Sequence, residues 1–340
     1  MKNIDFRSDT VTLPTDEMKE VMLQAPLGDD VYGEDPTVNR LEELVANTLG
    51  KEAALLLPSG TQSNLVALMS HCQRGDEYIV GQTAHCYRFE GGGAAVCGGI
   101  QPQPLAFRPD GTLDPEEVCE AIKPHDSHYA RTSLVCLENT QAGRPVSAEY
   151  VERMRCLCDE HSLSLHMDGA RLFNAASALD TSAEALAKPC DSISICLSKG
   201  LGAPAGSMLT GSRELIERAR RWRKVLGGGM RQVGMLAAAG IYALENHVDR
   251  LAEDHRRATT LAEGLARYSE LNVEISQGAT NMVFCTPAPV LKQRYQEYLL
   301  QHGVKVGGYE ALRFVTHLDI DDAAVSRVLD VTHAFFSDNQ

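Results

Sequence analysis

The stretch Ser192-Ile193-Ser194-Ile195-Cys196-Leu197-Ser198-Lys199-Gly200-Leu201-Gly202-Ala203-Pro204-Ala205-Gly206 decides how this chain is read. Six residues of strand character run into a lysine, and a turn of glycine, alanine and proline follows at once. A short apolar run bounded by turn residues predicts a strand buried in a sheet over 192–197. Lys199 then falls at the carboxyl end of a core strand, the edge at which open α/β sheets bind ligands. A lysine desolvated there loses proton affinity and becomes a usable amine nucleophile. A lysine that merely ends a strand in water is the commoner case when taken alone. The rest of the chain has to decide between the two.

On the amino-terminal side, strands and helices alternate. Asp35-Pro36 reads as a helix cap with proline in the first turn, and Gly50 closes that helix. Ala53 to Leu57 is a strand that turns through Pro58-Ser59-Gly60-Thr61-Gln62-Ser63-Asn64 into a helix beginning near Leu65. Strands are expected at 78–80, 133–137 and 163–167, with helices after Asp114-Pro115 and over 147–161. This rhythm predicts βαβ units and a mainly parallel sheet with helices on both faces. Beyond Gly206 the pattern changes to helices at 212–225, 232–246 and about 248–267. Strands follow at 273–275, 281–286, 304–306 and 312–316, with helices near 289–302 and from 321. The expectation is a large α/β domain over 1–247, including an N-terminal arm, and a smaller α+β domain over 248–340.

Composition narrows the function. A 340-residue chain with 44% hydrophobic and 23% charged residues reads as an ordinary globular protein. The formal charge of −14 argues against nucleic-acid binding, which calls for a basic face. The polar first fourteen residues carry no apolar signal, and the longest apolar stretch, 234–244, is too short to span a membrane. Ten cysteines, several in buried-looking runs, form neither a disulfide framework nor a zinc pattern. A cytosolic location and no metal are expected.

The polar residues worth weighing fall at strand ends. Backbone N–H groups in the Ser59-Gly60-Thr61 turn, at a helix start, suit a phosphate. Taken alone, a plain βα turn is the commoner case, and neither a Walker loop nor a dinucleotide turn is present. Asp168, ending the strand at 163–167, could hold a cationic ring nitrogen or cap the next helix. Arg171 is within reach of the same crevice or of Asp168 itself. His85 and His128 lie near loops, where a lone histidine is more often structural. The basic run Arg218 to Lys224 reads as a solvated helix face, whereas Gly227-Gly228-Gly229 before Arg231 suits a phosphate or a subunit contact. Arg313, in Leu312-Arg313-Phe314-Val315, either faces a core and needs an anion or points to solvent. Taken jointly, a lysine for an imine, an aspartate for a ring nitrogen, a phosphate turn and a carboxylate-binding arginine match what pyridoxal phosphate requires.

The chain also resembles the low-specificity L-threonine aldolases among the fold-type-I pyridoxal-phosphate enzymes. The resemblance rests on Arg7-Ser8-Asp9-Thr10-Val11-Thr12-Leu13-Pro14, Tyr32-Gly33-Glu34-Asp35-Pro36-Thr37, Pro58 to Asn64, His166-Met167-Asp168-Gly169-Ala170-Arg171, Ser198 to Gly202 and Gly228-Gly229-Met230-Arg231-Gln232. It implies that Lys199 carries the cofactor, that Asp168 pairs with its pyridine nitrogen, and that Gly60 and Thr61 bind its phosphate, with Arg231 reaching in from a neighbouring subunit. By the same resemblance His85 stacks on the ring, Ser8, Arg171 and Arg313 hold the substrate carboxylate, and the assembly is a homotetramer with sites between subunits. Gln141-Ala142 departs from the histidine and asparagine the family often carries there.

The implied reaction is reversible cleavage of L-threonine, L-allo-threonine and related β-hydroxy-α-amino acids to glycine and an aldehyde. The base for the β-hydroxyl proton is open among His85, His128 and a water. Rival readings are another fold-type-I enzyme (a β-eliminating lyase, transaminase or hydroxymethyltransferase), a non-catalytic cofactor-binding protein, and a cofactor-free lysine aldolase.

Overall fold

In a computed structural model, which describes residues 4–274 and 279–337, seven strands form one central sheet. Their spatial order is Ala53–Leu57, Ser207–Gly211, Ser192–Cys196, Ser164–Gly169, Arg131–Glu138, Asp76–Gly81 and Gln101–Leu105. Ser207–Gly211 runs antiparallel to both of its neighbours, and every other adjacent pair is parallel. The mainly parallel sheet expected from the alternation is therefore present.

Several helix starts have a local cause. Asp35 accepts from Thr37 N and Val38 N (both 3.1 Å) and opens Pro36–Thr48; Asp114 does the same at Glu116 N (2.9 Å) for Pro115–Ala121. Ser147 and Ser212 cap Ala148–Glu160 and Arg213–Val225. The helix expected to begin near Leu65 begins at Gly60 instead, because the Ser59 hydroxyl accepts from Gln62 N (3.2 Å). Moving that start back five residues makes Ser63 and Asn64 helical and buries both.

Two strands of the central sheet are not expected from the sequence. Gln101–Leu105 carries prolines at 102 and 104, which a central strand excludes and an edge strand tolerates; it is the outermost strand of the sheet. Ser207–Gly211 follows the Gly/Ala/Pro turn so closely that nothing in its five residues announces it, yet all five are buried. The last residue of the strand expected at 273–275, Ile275, lies outside the described residues.

The carboxyl-terminal strands Val273–Glu274, Met282–Cys285 and Leu312–Val315 make a small antiparallel sheet. Val304–Lys305, also expected, pairs with Ile4–Asp5 in parallel. Phe6 is fully buried in one apolar cluster with Leu261, Leu265, Tyr295, Phe314 and Phe335, so the chain's start is fastened onto elements near its end. A separate cluster lines the large sheet and includes Leu41, Leu165, Ile193, Leu197 and Leu251. The basic run at 218–224 is not wholly solvated. Arg223 is 3% exposed, pairs with Asp30 (2.9 Å) and donates to Leu56 O (2.8 Å).

Candidate active site

The carboxyl ends of the parallel strands collect the polar residues. At the end of Ser192–Cys196, Leu197 N donates to Gly206 O (3.1 Å) and Gly202 N to Lys199 O (2.8 Å), folding Ser198–Gly206 into a tight loop. Gly202 and Gly206 sit at φ of +79° and +108°, where glycine alone is unstrained. The Lys199 amine is partly buried, and it forms no hydrogen bond or ion pair among the described residues. It is close enough to influence the ionisation of Asp9, Glu138 and His85.

Asp168 ends the neighbouring strand and is 2% exposed. One of its oxygens accepts Ala170 N–H (3.1 Å), and the other accepts the Asn64 amide (2.8 Å). Asn64 Nδ2 also donates to Glu90 Oε1 (2.9 Å), and Glu90 holds His85 Nδ1 (2.8 Å). His85 is further fixed through its backbone N–H, which donates to Glu138 Oε2 (2.7 Å). The Glu90 hydrogen bond raises the proton affinity of the His85 imidazole, with Asp168 adding to it. Burial pushes Glu90 up, and burial with the Asp168 charge pushes Glu138 up to about 7.

A second group faces the same edge. Arg171 is held by both oxygens of Asp9 (Nε–Oδ2 2.7 Å, Nη2–Oδ1 2.5 Å), not by Asp168. Asp9 is fully buried. Burial opposes its ionisation, yet the Arg171 guanidinium, with Lys199 and the Asn281 amide, lowers the carboxyl to about 2. Ser8 caps Thr10 N (3.2 Å) and touches Asp9 through its hydroxyl (3.4 Å). Arg313 donates to Arg7 O (2.8 Å), and its Nε is buried without a partner. It has no carboxylate within ion-pair distance among the described residues, and burial together with the Arg171 charge lowers its pKa.

Gly60 and Thr61 form the first turn of their helix, whose leading N–H groups have no intrahelical acceptor. A Cβ on Gly60 would lie 2.8 Å from Cys196 Sγ, so glycine is what lets this turn sit against the Lys199 strand. Gly228 packs as closely on Gln62, where a Cβ would come within 1.8 Å of Oε1. The structure thus brings Lys199, Asp168, His85, Arg171, Arg313, Ser8, Gly60 and Thr61 to one region. It places two expected residues elsewhere. Arg231, half exposed, pairs with Asp29 (2.9 Å) and lies over Tyr32. The His128 side chain is 84% exposed, with Asp126 as its partner (2.5 Å). It precedes the eight-residue strand Arg131–Glu138, so about 25 Å of sheet separates it from the Glu138 edge.

The sequence matches the beta-eliminating lyase family over residues 5–288. It is 51% identical to the low specificity L-threonine aldolase of Escherichia coli strain K12 over 334 residues, covering 98% of this chain and 99% of that one. The chain belongs to the low-specificity L-threonine aldolase family. A plant relative, low-specificity L-threonine aldolase 1 of Arabidopsis thaliana, is 44% identical, with 97% of this chain and 95% of that one covered. Among solved structures, the threonine aldolase of Leishmania major superposes with a TM-score of 0.85 over 98% of this chain and 99% of that one, at 22% identity, which speaks to the fold. Asp9, Asn64, Glu90 and Glu138 join this group of residues, and the sequence alone does not point to them. Asp9 and Asn64 sat inside quoted motifs, but nothing local marks a polar residue as buried. Glu90 precedes three glycines and reads as loop.

Proposed function

We propose that the chain binds pyridoxal 5′-phosphate and cleaves L-threonine, L-allo-threonine and related β-hydroxy-α-amino acids reversibly to glycine and an aldehyde. The observation that carries this reading is a pair of cations at one sheet edge, the amine of Lys199, without a partner among the described residues, and the desolvated guanidinium of Arg313 with its orphaned Nε. An amino-acid carboxylate supplies what Arg313 lacks, and a carbonyl carbon is what a free amine takes up. The residues present fit the cofactor: Lys199 for attachment, Asp168 for its ring nitrogen, the Gly60–Thr61 turn for its phosphate, and the exposed face of His85 for its ring. When bound, the cofactor supplies an electron sink for the bond broken at Cα.

The chain's own residues do the rest. Arg313 and Arg171 orient the carboxylate, Arg171 being aimed by Asp9. Asp168, kept as an acceptor by Asn64 and Ala170, holds a proton on the ring nitrogen. His85, made more basic by Glu90, takes the β-hydroxyl proton directly or through a water. His128 takes part only where a second copy of the chain brings it to this edge, and Arg231 reaches a phosphate turn by the same route. An assembly with shared sites would bring both residues to this edge, and for it we propose the homotetramer. We also propose the division into units over 1–247 and 248–340, with Ile4 to Phe6 strapped onto the second.

The second reading comes from the family match itself, which is to beta-eliminating lyases. The experiment is a visible spectrum of the purified protein followed by product analysis with L-threonine. Acetaldehyde and glycine support the proposal. Pyruvate or ammonia from amino acids bearing a leaving group, with no acetaldehyde from threonine, would replace it with β-elimination.

A further inference from the structure

Behind Asp168 a line of polar groups runs between the helix Gly60–His71 and the strands Ser164–Gly169 and Ser192–Cys196, and its side-chain hydrogen bonds share one direction. The Asn64 NH2 contacts two carboxylates, Asp168 Oδ2 at 2.8 Å and Glu90 Oε1 at 2.9 Å. Carboxylates accept, so both amide hydrogens are committed and Oδ1 must face away. On that side stands the fully buried His166, its Nε2 3.4 Å from Asn64 Oδ1. An amide oxygen can only accept, so His166 carries its proton on Nε2 and its Nδ1 is an acceptor. Nδ1 is 2.8 Å from Ser192 Oγ, which therefore donates to it. The Ser192 oxygen is left to accept from His71 Nε2 at 2.7 Å. Each link thus points its donor the same way, from His71 toward Asp168, an arrangement in which successive hydrogen bonds polarise one another.

Charge elsewhere does not disturb this polarity. Burial keeps both rings neutral, lowering His166 to about 3 and His71 to about 4; the charged groups near His71 are Asp191 and Arg218, and His166 has His71 as its titratable neighbour and a Ser192 backbone hydrogen bond that opposes the lowering. Around Asp168 stand Glu90, Glu138, His85 and Cys86, and Lys199 acts on two of them, Glu138 and His85. Two acids so close to Asp168 would favour moving a proton onto one of them, and the oriented amide opposes that. His71 ends the line in a cleft of about 610 Å³ also lined by Arg74, Cys97, Arg218 and Trp222.

We propose that His166, with Ser192 and His71 behind it, is a positioning residue that locks the Asn64 amide with its NH2 between Asp168 and Glu90, so that Asp168 stays an acceptor for a protonated ring nitrogen. The inference rests on the cofactor reading above. With the lock lost, the amide can turn its oxygen toward Asp168, the carboxylate loses a donor, and the ring-nitrogen proton is no longer held in place, which weakens the electron sink.

The test uses histidine-labelled holoenzyme and nitrogen NMR, with a separate label on the cofactor ring nitrogen. In the wild type, His166 and His71 should be neutral Nε2–H tautomers and should not titrate between about pH 5 and pH 9, although a free imidazole would. A ring protonated on Nδ1, or one that titrates in that window, overturns the proposal before any variant is made. Ser192→Ala should mix the His166 tautomers, move the ring-nitrogen signal toward neutral pyridine and lower kcat about tenfold with little change in KM; Ser192→Thr, which keeps the hydroxyl, should restore all three. An unchanged ring-nitrogen signal in folded Ser192→Ala and His166→Phe refutes the coupling. Should the protein take up no pyridoxal phosphate, the proposed function fails by itself, and the tautomers of the cofactor-free protein still decide the orientation of the line.

Discussion

Replacing Asp9 by asparagine removes the charge that aims Arg171 while leaving the shape of the site. Asp9 is fully buried and grips Arg171 through two hydrogen bonds, with Asn281 (3.2 Å) on the same carboxylate. Breaking a buried pair by removing one partner costs about 3–5 kcal/mol, and the lower end applies because the Arg171 side chain is 14% exposed. The pH dependence checks the cause. The folded carboxyl sits at about 2 against an ordinary 3.8. A depressed pKa contributes stability that is complete above the unfolded value and is lost as pH falls through the folded one. The difference is worth about 2.5 kcal/mol at neutral pH, of which about half is gone at pH 3. Urea melts of wild type and Asp9→Asn at pH 7 and pH 3 should therefore show a gap of about 3 kcal/mol that narrows by about 1 kcal/mol in acid. KM for L-threonine should rise as well, since Arg171 loses its aim. A gap that is equal at both pH values, or absent, refutes the account of Asp9 as an ionised counter-ion.

Arg313→Leu should raise KM for L-threonine about ten- to hundredfold, the loss of a charge-assisted contact, while the melting temperature holds or rises because a desolvated, partly unpaired guanidinium is removed. A large drop in melting temperature would mean that Arg313 is structural. Glu90→Gln should lower the His85 pKa, since Glu90 is the main cause raising it, and so shift the acidic limb of the kcat/KM profile to lower pH; an unmoved limb excludes His85 as the titrating base. Lys199→Ala should abolish turnover and the bound cofactor's visible absorbance together, and full activity without the lysine would end the assignment.

Much of the site was legible because strand ends are local features. An apolar run that stops at Lys199 or at Asp168, followed by glycine, marks the carboxyl edge of a sheet without any tertiary knowledge, and both residues lie there. The Asp35 and Asp114 caps were legible for the same reason, since cap and first turn are adjacent in sequence. The strand at 207–211 was not legible, because five residues without alternation become a strand only through the two neighbours they pair with. Asp9, Glu90 and Glu138 carry no mark in the sequence that separates them from surface acids.

What the sequence alone determined, then, is which residues stand at the sheet edge and that a lysine is among them. Tertiary structure decided their partners. Arg171 could have paired with Asp168 nearby but is claimed by Asp9, 162 residues away, and Asp168 is claimed by Asn64, 104 residues away. The physical reason is that a buried charge must find a partner wherever the fold supplies one, and sequence spacing fixes only what lies within a turn or two. Among the described residues, Lys199 and Arg313 are two cations at this edge without a carboxylate partner, and the absence of a partner is a property no stretch of sequence can display.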